Sequence, residues 1–135
     1  MLFAFRPSSV KRLLIIEDDP LIAFDNERTL LHHGYDVIAT VDRGEAAVPF
    51  MAEHKVDALL LDIGLAGYMS GRDIARLARD RNIPVLLVTG NCPDDAADIA
   101  MACLHKPHSA GLLLSALRCM ETMVAKNKLP RKSAQ

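Results

Sequence analysis

The strongest constraint on the fold is a set of short runs that stay apolar without alternating. Lys11–Ile16, Val56–Leu61 and Ile83–Val88 each contain four consecutive aliphatic residues. A strand with one wet face alternates polar and apolar residues, whereas an unbroken aliphatic run is buried on both faces. Two less apolar runs, Tyr35–Val41 and Ala102–His105, bring the strands to five. Helical stretches separate them, and strands alternating with helices give a parallel sheet covered on both sides. The expectation is a doubly wound five-stranded α/β domain with strand order 2-1-3-4-5.

Local signals place the helices. Asp19 and Pro20 read as cap and first residue of a helix running to about His33, with Leu21, Ile22, Phe24, Leu30 and Leu31 as its apolar positions. Gly34 supplies the left-handed stop. Asp42-Arg43-Gly44-Glu45 resembles a capping box and predicts a helix over 43–54, which Pro49 should bend or shorten. Ser70 caps a helix over 71–81, and Pro93 opens a short Asp- and Ala-rich segment over 93–100. A last helix runs from Ser109 to about Lys126 with Leu112, Leu113, Leu117, Met120 and Val124 on its apolar face. Residues 11–126 therefore read as one domain, flanked by an arm over 1–10 and a basic tail over 127–135 whose composition predicts disorder.

Charge narrows the function classes. The net charge of −1 hides four bases in the last ten residues, Lys126, Lys128, Arg131 and Lys132. Without them the body has 12 basic and 17 acidic residues, or −5, which argues against nucleic acid as a direct partner. No window approaches a membrane span, so membrane insertion is not expected. Three cysteines, Cys92, Cys103 and Cys119, are an odd number at wide spacings; we expect neither a disulfide nor a zinc site, and a reducing cytoplasm fits. Cys103 reads as a small buried hydrophobe and Cys92 as a loop thiol.

Open parallel sheets place their sites at the carboxyl ends of the strands, where strand order reverses. The first strand ends in Glu17-Asp18, the third in Asp62, the fourth in Thr89 and the fifth in Lys106. Three carboxylates converging there repel one another unless a cation is shared. Oxygen ligands with room for water suit Mg²⁺. A hard cation, an ammonium, a hydroxyl and a nucleophilic carboxylate are the parts that phosphoryl transfer to Asp62 requires.

Ile-Ile-Glu17-Asp18-Asp19-Pro20, Leu-Leu-Leu-Asp62-Ile-Gly-Leu, Leu-Val-Thr89-Gly90 and Leu-His-Lys106-Pro107 resemble the receiver domain of two-component response regulators, the CheY-like group with a flavodoxin-like (βα)5 fold. The resemblance spans about residues 11–125. It implies that Asp62 is phosphorylated by a histidine kinase or a phosphotransfer protein and that the chain is a switch and not an enzyme. Glu17, Asp18, Asp62 and the backbone carbonyl of Gly64 would hold Mg²⁺, while Thr89 and Lys106 would engage the phosphoryl group. It also implies a single-domain regulator that acts on a downstream protein or in a phosphorelay.

The chain departs from that pattern beyond Thr89. Cys103 stands where members usually carry an aromatic residue three positions before the lysine, Thr89 to Lys106 is a short spacing, and His108 follows Pro107 in place of an apolar aromatic. These features are similar to an atypical receiver subgroup common in alphaproteobacteria. Two competing functions follow from the same residues. One is a degenerate receiver that binds partners without phosphorylation; the other is a small aspartyl-phosphate phosphatase, disfavoured because Asp62-Ile63-Gly64 lacks a second acid. His32-His33 reads as a helix C-terminus, His105 and His108 as a weak metal-like pair, and Arg72, Arg76 and Arg79 as a solvated helix stripe.

Overall fold

The computed structural model describes residues 10–65 and 67–126. The expected arm (save Val10) and basic tail lie outside the described residues. In chain order the elements are β1 (Arg12–Ile16), α1 (Pro20–His32), β2 (Asp36–Val41), α2 (Gly44–Glu53), β3 (Ala58–Leu61), α3 (Gly71–Asp80), β4 (Val85–Thr89), α4 (Ala96–Ile99), β5 (Ala102–His105) and α5 (Ala110–Lys126). All neighbouring strands pair in parallel, in the order β2-β1-β3-β4-β5. The expected architecture is the observed one.

Period-two alternation divides the apolar runs between two cores. Leu14, Ile16, Leu59, Leu61 and Leu87 face α2 and α3, where Ala47, Met51, Ile74 and Ala78 meet them. Leu13, Ile15, Leu60, Leu86 and Val88 face the other side, against Leu30 of α1 and Leu113, Leu117 and Met120 of α5. The central strands β1, β3 and β4 are buried almost throughout, while the edge strands β2 and β5 are half-exposed. Val10 is buried in the second core, so packing reaches one residue before the expected start at 11.

Several local expectations change. Leu21, Phe24 and Leu31 of α1 are 76%, 58% and 51% exposed, and the helix buries Ala23, Asn26 and Leu30 instead. Leu112 of α5 is likewise exposed. The capping box at α2 does not form: Arg43 is the cap, with extended backbone and no capping side-chain bond, and Asp42 instead accepts from Arg43 Nε at 3.0 Å. Glu45 thus falls at the second helical position, and its Oε1 is buried without a hydrogen-bond partner. Pro49 stays inside α2. At α3 the box is complete, with Ser70 Oγ accepting from Asp73 N at 3.1 Å and Asp73 Oδ2 accepting from Ser70 N at 3.0 Å. Gly34 takes the expected left-handed conformation, φ +88°.

The cysteine expectation is overturned. Cys92 and Cys103 form a disulfide, with Cα atoms 6.2 Å apart, and Cys119 is free and exposed. The physical reason is register. Leu87 pairs with Cys103 across β4 and β5, so the loop leaving β4 returns Cys92 over the side chain of its neighbouring strand. The argument from cysteines to a reducing compartment falls with it.

Candidate functional site

Sheet register brings the strand ends to one level. Leu61 pairs with both Ile16 and Leu87, Asp62 N donates to Ile16 O at 3.0 Å, and Glu17 N donates to Val41 O at 2.9 Å. Lys106 N donates to Thr89 O at 2.8 Å, which holds the lysine beside the end of β4. Glu17, Asp18, Asp62, Thr89 and Lys106 therefore meet at the carboxyl rim of the sheet. Glu17, Asp62 and Thr89 are buried, Asp18 is exposed and Lys106 is half-buried.

Lys106 sits between two carboxylates. Its Nζ lies 2.8 Å from Glu17 Oε1 and 3.0 Å from Asp62 Oδ2. Glu17 Oε2 accepts from Lys106 Nζ at 2.9 Å and from Asp19 N at 3.0 Å, and Asp62 Oδ1 accepts from Gly64 N at 3.1 Å. Asp19 also accepts from Leu21 N and Ile22 N, which identifies it as the cap of α1. One carboxylate oxygen from each of Glu17, Asp18 and Asp62 lies within 4.8 Å of the others, the only such acidic, His or Cys group among the described residues. His105 and His108 are not part of such a group.

Electrostatics at the rim are unbalanced. Three carboxylates and one ammonium sum to −2. Burial pushes the Glu17 carboxyl above its ordinary value, with Asp62 adding to the rise and the Lys106 and Asp19 hydrogen bonds opposing it. Burial works to lower Lys106, but its bonds to Glu17 and Asp62 outweigh that and hold the ammonium above its ordinary value. The single cation is thus firmly protonated and too little for its acids. The donor set, three carboxylate oxygens within 4.8 Å of one another, fits a hard divalent cation. A groove of about 590 Å³ opens beside Glu17 and Asp18, between α1 and β2, and is walled further by Phe24, Glu27, Thr40 and Asp42; Asp62 and Lys106 are not among its lining residues.

A close approach positions the loop after Asp62. A Cβ on Gly71 would lie 2.6 Å from Ile63 Cα and O, so α3 starts directly against that loop. Asp57, to which sequence reasoning gave no role, accepts from Lys11 N and Arg12 N at 3.0 and 2.8 Å and ties β1 to β3 at the opposite end of the sheet. Of the arginine stripe, Arg72 departs from a purely solvated role: it grips Asp95 through two bonds of 2.7 and 3.0 Å.

Comparison with known proteins agrees with this geometry. A family model described as the response regulator receiver domain matches residues 13–118. The chain belongs to the response regulator receiver family. Among curated proteins, the transcriptional regulatory protein PdtaR of Mycobacterium tuberculosis is 31% identical over 113 residues, covering 79% of this chain and 55% of that protein. The chain thus spans about half the length of the curated relatives it first matches. Among solved structures, a CheY-like receiver from Methanospirillum hungatei superposes with a TM-score of 0.77 at 22% identity, over 87% of this chain and 98% of that one. The receiver domain of the sensor histidine kinase PA1611 from Pseudomonas aeruginosa, solved with magnesium in its active site cleft, gives 0.74 at 25% identity, over 84% and 98%. Receivers are signalling switches in phosphorylation-based pathways, which is the class of function this chain has. Among the described residues no helix is long and apolar enough to cross a membrane.

Proposed function

We propose that this receiver accepts a phosphoryl group on Asp62 from a histidine kinase or phosphotransfer protein in the cytoplasm, with Mg²⁺ held by Glu17, Asp18, Asp62 and the Gly64 carbonyl. The observation that carries the reading is the cluster itself: three carboxylates within 4.8 Å and a lone ammonium bridging two of them. A cluster left at −2 is poorly built as packing and well built as a socket for a divalent cation. Magnesium in the cleft of the PA1611 receiver supports the same metal here. Bound there, Mg²⁺ would neutralise charge on the phosphoryl oxygens.

The chain's own residues supply the rest. Asp62 attacks phosphorus through one carboxylate oxygen as the P–N bond to the donor imidazole breaks, and the departing imidazole takes a proton from solvent. Gly64 N–H orients the carboxylate through Oδ1, which leaves Oδ2 on the side of Lys106. Lys106, kept protonated by its acids, follows the charge onto the phosphoryl oxygens. The Thr89 hydroxyl donates a further hydrogen bond. The signal then passes to a downstream protein by binding or by onward transfer. The test is incubation with a small phosphodonor. Intact mass should rise by one phosphoryl group with Mg²⁺, not with a chelator, and not in Asp62→Asn; equal labelling of that variant defeats the assignment.

One observation favours a second reading, a receiver that binds partners without phosphorylation. Cys103, at the place of the family's usual aromatic, is fixed in a disulfide, and α4 is a single turn with no buried residue. Partner affinity unchanged by phosphorylation would support it over the first.

A further inference from the structure

We propose that the Cys92–Cys103 disulfide is a reversible thiol–disulfide exchange site, reduced by a dithiol, whose opening releases the segment over 91–100 beside the acidic cleft. The inference rests on the phosphoacceptor reading only for its consequence at Asp62.

Three observations carry it. The bridge joins the loop three residues beyond Thr89, the last residue of β4, to β5 three residues before Lys106, so its two ends lie close along the chain to the residues that supply those side chains. Both cysteines are half-buried, with exposed Asn91, Asp94 and Asp95 around Cys92, so an attacking thiolate has a path to the bond. Between the bridged positions the chain is weakly anchored. No residue over 91–100 is fully buried and α4 is one turn; Ala96, Ile99 and Ala100 touch the core only in part. The polar hold within this stretch is the exposed Arg72–Asp95 pair, which water screens, and sheet bonding resumes only at Met101, whose N–H donates to Val85 O at 2.9 Å. With no fully buried side chain between them, the covalent link adds a tether to a thinly packed stretch, and segments of this kind are the ones that open locally.

The chemistry balances without any group the protein lacks except the reductant. A thiolate of the dithiol attacks one sulfur, the Cys92–Cys103 bond breaks, and a mixed disulfide forms. The dithiol's second thiolate then displaces the remaining protein thiol. Two electrons pass to the protein disulfide, the two protons end on Cys92 and Cys103, and the dithiol leaves as a disulfide. Cys119, exposed and without a cysteine partner, is the internal reference thiol.

The test uses the full chain and dithiothreitol as the dithiol. Alkylation after denaturation should label one thiol in the air-oxidised protein and three after dithiothreitol under native conditions, with return to one on reoxidation. Hydrogen exchange over 91–100 should quicken at least tenfold on reduction, while β1 and β3 stay unchanged. Cys92→Ser and Cys103→Ser should exchange like the reduced protein. Three labelled thiols before reduction, resistance to dithiothreitol without denaturant, or equal exchange in both forms would overturn the proposal. Phosphoryl uptake at Asp62 is followed in both forms. A rate differing between them supports the link to the cleft, and an equal rate refutes that link. No uptake in either form defeats the phosphoacceptor reading, while thiol count and exchange still decide the exchange site.

Discussion

Replacing Lys106 by methionine probes the charge balance of the site, because it removes the ammonium and keeps the length of the side chain. At an effective dielectric of about 20, an ion pair near 3 Å is worth on the order of 5 kcal/mol before desolvation. Lys106 makes two, at 2.8 and 3.0 Å. Desolvation offsets much of that gain, since Glu17 and Asp62 are only 4% and 8% exposed. Removing one partner of a buried pair costs about 3–5 kcal/mol, and the 16% exposure of the Lys106 side chain puts the loss near the low end, about 3 kcal/mol at pH 7. In urea that is a fall of roughly 1–2 M in the unfolding midpoint. The loss has a sign in pH. Glu17 is already raised by burial, and without the ammonium it rises further. The penalty is therefore full above its folded pKa and shrinks as the pH falls through that value and the Glu17 carboxyl protonates. Magnesium should restore part of the stability at pH 7. A loss below about 0.5 kcal/mol, which is the scale of an exposed pair, or one equal at pH 7 and pH 4, would refute the reasoning.

Two further outcomes follow from the close approaches around the site. Gly71→Ala pushes a methyl into the Ile63 backbone, which cannot rotate away, and should cost about 1–3 kcal/mol and shift the Gly64 amide resonance; Gly90→Ala, with nothing within 4 Å, should be nearly neutral by the same thermal melt. Asp73 is held below its ordinary carboxyl value, first by the Ser70 amide and then by its hydroxyl, so the α3 cap is intact above the unfolded value and is lost as the pH falls through the lower folded one. An NMR titration of Ser70→Ala should move the Asp73 midpoint upward; an unmoved midpoint contradicts the capping account.

What the sequence reveals here follows the range of the interactions. The unbroken aliphatic runs carry the sheet because burial on both faces leaves no other pattern, and the polar residues that end them carry the site because parallel pairing brings strand ends to one level. Ser70 and Asp73 are readable because a cap is local. The cysteine pair is not, because it depends on the register of β4 against β5 and on the path of the loop between them. Asp57 is hidden for the same reason, its partners lying 45 and 46 residues away. At α1 the apolar count misleads: Leu21, Phe24 and Leu31 lie off the sheet-facing stripe that Ala23, Asn26 and Leu30 occupy. At α2 a one-residue shift in the helix start moves Glu45 from the third helical position to the second and dissolves the expected box.

The site and the disulfide divide the molecule functionally. On one side Glu17, Asp18 and Asp62 bring three carboxylates within 4.8 Å at the ends of β1 and β3. On the other, the segment from Asn91 to Ala100 has no fully buried residue and is covalently tied through Cys92. Chemistry at the first and response in the second are separable by experiment.

The most direct test of the central claim is to locate the phosphoryl group. Protein treated with a small phosphodonor and Mg²⁺ is reduced with borohydride, which converts an aspartyl phosphate to homoserine, and the peptides are sequenced by tandem mass spectrometry. The account predicts homoserine at position 62 and nowhere else, dependent on Mg²⁺. Homoserine at position 18 or another aspartate, or none under conditions where intact mass reports a phosphoryl group, would contradict it.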